Sequence, residues 1–133
     1  MRTIHHLGLT VRDVEASAAW YTEVLGFDEV GRFASPDNER RKIFLRHPDL
    51  QVRLGLVQHG PDPRAPFDET RIGLDHLAFG VGTKDELDQW QTRLAEHGVT
   101  HSPVTPANSI PGAAVLVFRD PDGIQLELFY DPT

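Results

Sequence analysis

Between residues 4 and 11 apolar and polar side chains alternate, with Leu7, Leu9 and Val11 set against His6, Gly8 and Thr10. That is the two-residue period of a strand with one face on a core. Asp13 then stands where a helix N-cap belongs, and Val14, Ser17, Tyr21, Val24 and Leu25 fall near one face of a helix that Gly26 ends. Short β-rich runs follow at about 27–33, 41–46 and 51–58. The pattern then starts again. A strand over 74–81 leads to a capping-box pair, Thr83 and Glu86, then to a helical stripe of Leu87, Trp90 and Leu94 that stops at Gly98. Three further runs, at about 99–104, 113–119 and 124–130, complete the second pass. Each half therefore reads as strand, helix and three strands.

The two halves are copies of one unit. Ile4-His5-His6-Leu7-Gly8-Leu9-Thr10-Val11 answers Leu74-Asp75-His76-Leu77-Ala78-Phe79-Gly80-Val81, and Trp20 answers Trp90, all 70 positions apart. Further on, Leu25-Gly26-Phe27 answers His97-Gly98-Val99 and Leu54-Gly55-Leu56 answers Leu126-Glu127-Leu128, now 72 apart. Two copies are too few for a solenoid and fit one domain over residues 1–133, built from module one (1–60), a linker (61–72) and module two (73–131). The proline-rich run from Gly60 to Pro66 suits neither helix nor central strand.

Composition narrows the setting. A chain of 133 residues can bury one core. No apolar run approaches the roughly 20 residues of a membrane span, and Met1-Arg2-Thr3 leads straight into a strand, so a cytoplasmic protein is expected. With no cysteine, any metal must be held by nitrogen and oxygen. The formal charge of −7 disfavours nucleic acid and anionic membrane as partners, and the basic triplet Arg40-Arg41-Lys42 reads as a solvated strand edge.

Alternation also decides which side chains share a face. If Leu7 and Leu9 pack on the helix, His6 projects from the opposite face, and His76 does the same opposite Leu77 and Phe79. In the last run Ile124, Leu126 and Leu128 take the helix side, leaving Gln125, Glu127 and Phe129 with the histidines. Two imidazoles and a carboxylate at corresponding places are the donor set of a two-histidine, one-carboxylate metal site.

These residues resemble the vicinal oxygen chelate superfamily, which includes glyoxalases, fosfomycin resistance proteins, epimerases and extradiol dioxygenases. The resemblance covers nearly the whole chain. It lies in His6-Leu7-Gly8-Leu9-Thr10-Val11-Arg12-Asp13, Trp20-Tyr21, Leu25-Gly26-Phe27, His76-Leu77-Ala78-Phe79 and Asp120-Pro121-Asp122-Gly123-Ile124-Gln125-Leu126-Glu127. It implies an α+β fold of two βαβββ modules forming a cup-shaped mixed sheet. It also implies a divalent metal held by His6, His76 and Glu127, a small-molecule substrate and a homodimer.

Departures from the family pattern bear on the chemistry. Glyoxalase I and the epimerases draw a fourth ligand from the place where this chain has Gly55, and a glycine has no side chain to offer. The remaining triad is the arrangement of non-haem Fe(II) oxygenases, so the resemblance points to a dioxygenase using Fe(II) or Mn(II), with Zn(II) or Ni(II) as alternatives. The substrate expected is a small aromatic or enolisable molecule chelating through vicinal oxygens. A glyoxalase-type lyase or isomerase, a thiol transferase and a non-catalytic drug-binding protein remain as other readings. Fosfomycin itself is a poor substrate guess, since the family's threonine two residues beyond the first histidine is Gly8 here. Val115-Leu116-Val117-Phe118 lacks the tyrosine hydroxyl that ring-cleaving members carry.

Ring-cleaving members also use a non-ligand histidine as acid/base, and because Arg53, Gly55, Val57 and His59 share strand parity, the resemblance makes His59 the candidate for that role, with Arg53 a candidate for a substrate oxyanion. Gln125 and Phe129, flanking Glu127, are candidate substrate contacts. His5 falls on the wrong strand face, His47 and His101 lie near turns or strand ends, and His97 suits a helix C-terminus. The stretch 105–112 reads as a loop.

Overall fold

The protein was analysed as a computed structural model that describes residues 1–60 and 65–133. Of the linker expected at 61–72, residues 61–64 lie outside the described residues. The chain divides into two compact units, Met1–Ala65 and Pro66–Thr133.

In the first unit β1 (His6–Thr10) leads to α1 (Val14–Leu25), β2 (Asp28–Ala34), β3 (Arg40–Arg46) and β4 (Arg53–His59). Its sheet runs β1-β4-β3-β2, with β1 parallel to β4 and the other pairs antiparallel. The second unit repeats this with β5 (Leu77–Val81), α2 (Lys84–Glu96), β6 (Thr105–Pro106), β7 (Ala114–Arg119) and β8 (Gln125–Tyr130), in the order β5-β8-β7-β6. The expected pair of βαβββ modules is the fold.

The helices form and stop where their caps dictate. The Asp13 carboxylate accepts from the backbone N–H groups of Glu15 and Ala16 at 3.0 Å each, and Gly26 closes α1 in the left-handed region at φ 81°. At α2 the Thr83 hydroxyl accepts from Glu86 N at 3.2 Å, while the Glu86 carboxylate reaches back to Gly82 N at 2.9 Å. The reciprocal bond of a capping box has thus moved one residue outward.

Each helix buries one stripe on one face of its sheet. Val14, Ser17, Ala18, Tyr21, Val24 and Leu25 of α1 are buried, as are Ile43, Leu45, Leu54 and Leu56 of the strands. In the second unit Leu87 and Leu94 are buried, together with Leu116, Leu126 and Leu128. At roughly 1.5–3 kcal/mol for each large side chain removed from water, this packing fixes which strand face is internal. Because the side-chain period is two, it also fixes which residues face away from the helix.

One expected strand differs. The run 99–104 is not a strand; pairing begins only at Thr105–Pro106, opposite Val115 and Ala114. Backbone donors in the run are answered singly instead. Val99 N binds Leu94 O at 2.9 Å, Ser102 N binds Val117 O at 2.8 Å, and Val104 N binds the Gln91 side chain at 3.1 Å. Pro103 and Pro106 have no N–H to give a ladder, which keeps this edge short.

No helix among the described residues is long and apolar enough to cross a membrane. In the basic triplet Arg41 pairs with Glu15, which also holds Arg32, so part of that charge is spent within the first unit.

Candidate metal centre

The helix packing leaves His76 and Glu127 on the opposite face of the second sheet. His76 sits immediately before β5, and Glu127 lies in β8 opposite Ala78. Their side chains meet, with His76 Nε2 3.6 Å from Glu127 Oε2. That is too long for a good hydrogen bond. It is close to the spacing of two ligands on one cation, about 3 to 3.5 Å when each bond is about 2.0–2.2 Å. A nitrogen and a carboxylate oxygen are also the donors a thiol-free divalent site requires.

The other nitrogen of His76 is occupied. Its Nδ1 lies 2.6 Å from Asp75 Oδ1. That hydrogen bond raises the imidazole above its ordinary value, against partial burial, with the charges of Glu127 and Asp75 adding to it. Glu127 is the more enclosed of the pair, its side chain 15% exposed against 42% for His76. Val117 stands opposite Glu127 across β7 and Val115 opposite Phe129, so apolar groups neighbour the carboxylate.

The two substrate-contact candidates differ in freedom. Phe129 lies between Gly80 and Val115 with its ring partly exposed. Gln125 is engaged: its Oε1 accepts from Arg119 at 3.3 Å, and Arg119 is held by Glu69 at 2.6 Å. The turn that delivers β8 is built as its residues suggest. Gly123 N donates to Asp120 O at 3.0 Å, and the buried Asp120 carboxylate accepts from Asp122 N and Ile124 N at 2.9 Å each.

In the first unit His6 opens β1 in register with Arg53, so the two stand side by side on the face away from α1. Gly8 pairs with Gly55 and Thr10 with Val57 on that face. His59 shares the face but closes β4, six positions beyond Arg53, which is roughly 20 Å at strand rise. The structure brings Arg53 to His6 and does not bring His59 there.

His5 departs from expectation. It precedes β1, where the pleat has not begun, and its Nδ1 comes within 2.9 Å of His6 Nδ1. Strand parity alone sets it aside; the contact puts it against the candidate ligand His6. Asp75 was likewise not singled out. A signal for both existed, since each immediately precedes a candidate ligand histidine at equivalent places in the repeat. Among the described residues, no three or more histidine, cysteine or acidic side chains are gathered into a metal-holding group.

Comparison with known proteins agrees with this architecture. The profile of the Glyoxalase/Bleomycin resistance protein/Dioxygenase superfamily matches residues 3–128. The uncharacterized protein YwkD of Bacillus subtilis is 32% identical, with 97% of each chain covered. A crystal structure of a glyoxylase/bleomycin resistance protein/dioxygenase domain from Frankia sp. EAN1pec superposes with a TM-score of 0.86 at 35% identity, covering 98% of both chains. More distantly, the catechol-2,3-dioxygenase of Bacillus subtilis is 30% identical over 71% of this chain and 32% of its own length. The glutathione transferase FosA of Serratia marcescens is 29% identical over 96% of this chain and 80% of its own. The chain belongs to the Glyoxalase/Bleomycin resistance protein/Dioxygenase superfamily.

Proposed function

We propose that the protein is a metal-dependent enzyme in which His6, His76 and Glu127 hold one divalent cation, Fe(II) or Mn(II) before Zn(II) or Ni(II). Its reaction in this reading is oxygenation of a small aromatic or enolisable substrate that chelates through vicinal oxygens. The observation that carries it is the facing of His76 Nε2 and Glu127 Oε2 at 3.6 Å on the face away from the helix. His6 joins that pair from a first module, of the same chain or of a second copy in a homodimer. Gly55 stands where the repeat would otherwise supply a second Glu127, so the ligand count stays at three and positions remain open.

A cation held this way supplies Lewis acidity and a meeting place for substrate and dioxygen. The protein's own groups do the rest. Glu127 and the neutral ring of His76 present their lone pairs toward one point. Arg53, level with His6, offers paired N–H donors to an anionic substrate oxygen. Val115, Val117 and Phe129 flank Glu127 with apolar surface for a ring and keep water from it. His59 has no part here, because it lies at the far end of its strand.

The relation to FosA, which extends over 80% of that enzyme, favours a second reading as a lyase or thiol transferase with the cation as Lewis acid alone. Oxygen-uptake screening of catechols, quinols and phenols with protein loaded with Fe(II) or Mn(II) separates the two. Uptake that tracks substrate loss is expected. Turnover that continues undiminished without air would refute the oxygenase and favour the transferase.

A further inference from the structure

The residue just before each site histidine makes the same contact in both modules. Asp75 Oδ1 lies 2.6 Å from His76 Nδ1, and His5 Nδ1 lies 2.9 Å from His6 Nδ1. Neighbouring side chains on a regular strand point to opposite faces and cannot meet in this way. Here they can, because His76 precedes β5 and His6 is only the first residue of β1. Chance would not readily place such a contact at the same point of two copies of one unit.

We propose that Asp75 is the positioning residue of His76: its carboxylate accepts a hydrogen bond from Nδ1–H, fixes that tautomer and turns Nε2 toward the cation beside Glu127. This rests on the metal-binding reading above. An imidazole binds a cation through an unprotonated nitrogen, and which nitrogen is free is set by the bond the other makes. Without an acceptor at Nδ1 the proton is shared between the two nitrogens, and a fraction of the rings presents N–H to the cation. A ligand histidine donating to a carboxylate is held in orientation and made more basic toward the metal. His5 is the counterpart in module one and a lesser one, since only its neutral ring with a bare Nδ1 can accept from His6. The two histidines are thus held unequally, His76 by a carboxylate and His6 by an imidazole.

Asp75 is exposed, at 67% for its side chain, so replacing it leaves the core untouched. The tautomer is read without metal, by long-range proton–nitrogen NMR of labelled protein at a pH where His76 is neutral. The wild type is expected to carry its proton on Nδ1, and Asp75→Ala to shift toward Nε2–H. Asp75→Asn, whose amide oxygen still accepts, should retain the wild-type tautomer. Titration with Mn(II) alone should then show affinity falling roughly 10–100-fold in Asp75→Ala and less in Asp75→Asn. A wild-type proton on Nε2, or Asp75→Ala binding Mn(II) like the wild type while His76→Ala loses it, would overturn the proposal alone. Undiminished Mn(II) affinity in His76→Ala would instead overturn the metal-binding reading beneath it.

Discussion

The ring of Phe44 lies across Gly55, with ring atoms 3.5 and 3.6 Å from where a β-carbon on that glycine would sit. The two are cross-strand partners, and Gly55 is in turn paired with Gly8. In the second module the same positions are Val117, Glu127 and Ala78. The repeat therefore sets a bare backbone under an aromatic ring in module one where module two has its carboxylate.

Gly55→Glu is expected to fold. Its β-carbon would make ordinary contact with Phe44, and nothing lies within 4 Å of the β-carbon position at Gly8, so the longer side chain has room on that side. Replacing a strand glycine also removes freedom from the unfolded chain, worth about 0.4–1 kcal/mol when the backbone tolerates it. If three ligands and an open position define the reaction, a second carboxylate on this face, as a fourth ligand, should tighten metal binding and abolish substrate-dependent oxygen uptake. Metal titration and an oxygen electrode check this, and uptake equal to the wild type's would argue against the open-position reading.

His76→Ala and Glu127→Ala should each lose divalent-metal affinity by more than the roughly 10–100-fold typical of an outer-sphere partner, because each removes a donor outright. His59→Ala should leave the metal titration and turnover as they are. Equal losses in all three would mean the site is not where His76 and Glu127 meet.

Much of this was legible from alternation and repetition. The helix stripes needed only the 3.6-residue period, and the face of Glu127 followed from the buried Leu126 and Leu128 beside it. What escaped has a common cause. Parity assigns faces only where the pleat is regular, so it set His5 aside although residue 5 precedes the strand. Parity also groups residues regardless of distance, which is why His59 was gathered with Arg53 from the far end of β4. The run 99–104 looked β-rich, but composition does not reveal that Gln91 and Val117 meet its donors one by one. Nor could spacing show that Gln125 is already engaged by Arg119, since Glu69 reaches that arginine from 50 positions away.

The Glu69 contact makes stability depend on acidity in a defined direction. Its hydrogen bond with Arg119, more than the coulombic attraction, holds the carboxyl below its ordinary value of 4.5. A carboxyl depressed in the folded state contributes stability that is fully present above the unfolded value and fades as pH falls through the folded one. Wild type and Glu69→Gln, compared by denaturant unfolding, should therefore differ at neutral pH and converge only once the pH has fallen below the depressed folded-state value, itself under 4.5. The gap should be small and should shrink with added salt, since the pair is solvent-accessible. A gap that persists in acid would mean that the glutamine acts through shape, not charge.

Asp120 gives the sharpest stability prediction, because its carboxylate is buried and commits itself to the backbone of the turn before β8. Two N–H groups, of Asp122 and Ile124, depend on it at 2.9 Å, and Gly123 completes the reversal at φ 79°. Asp120→Ala would strand those donors where water has little access, at a cost of about 1–3 kcal/mol for a buried donor left unmet. Asp120→Asn keeps an acceptor oxygen and should cost distinctly less. Glu127 begins only a few residues later, so a loosened turn should also weaken metal binding in Asp120→Ala while sparing it in Asp120→Asn. Thermal unfolding alongside metal titration reads both effects. Destabilisation without any loss of affinity would show that β8 holds Glu127 in place through its pairing with β5 and β7 alone.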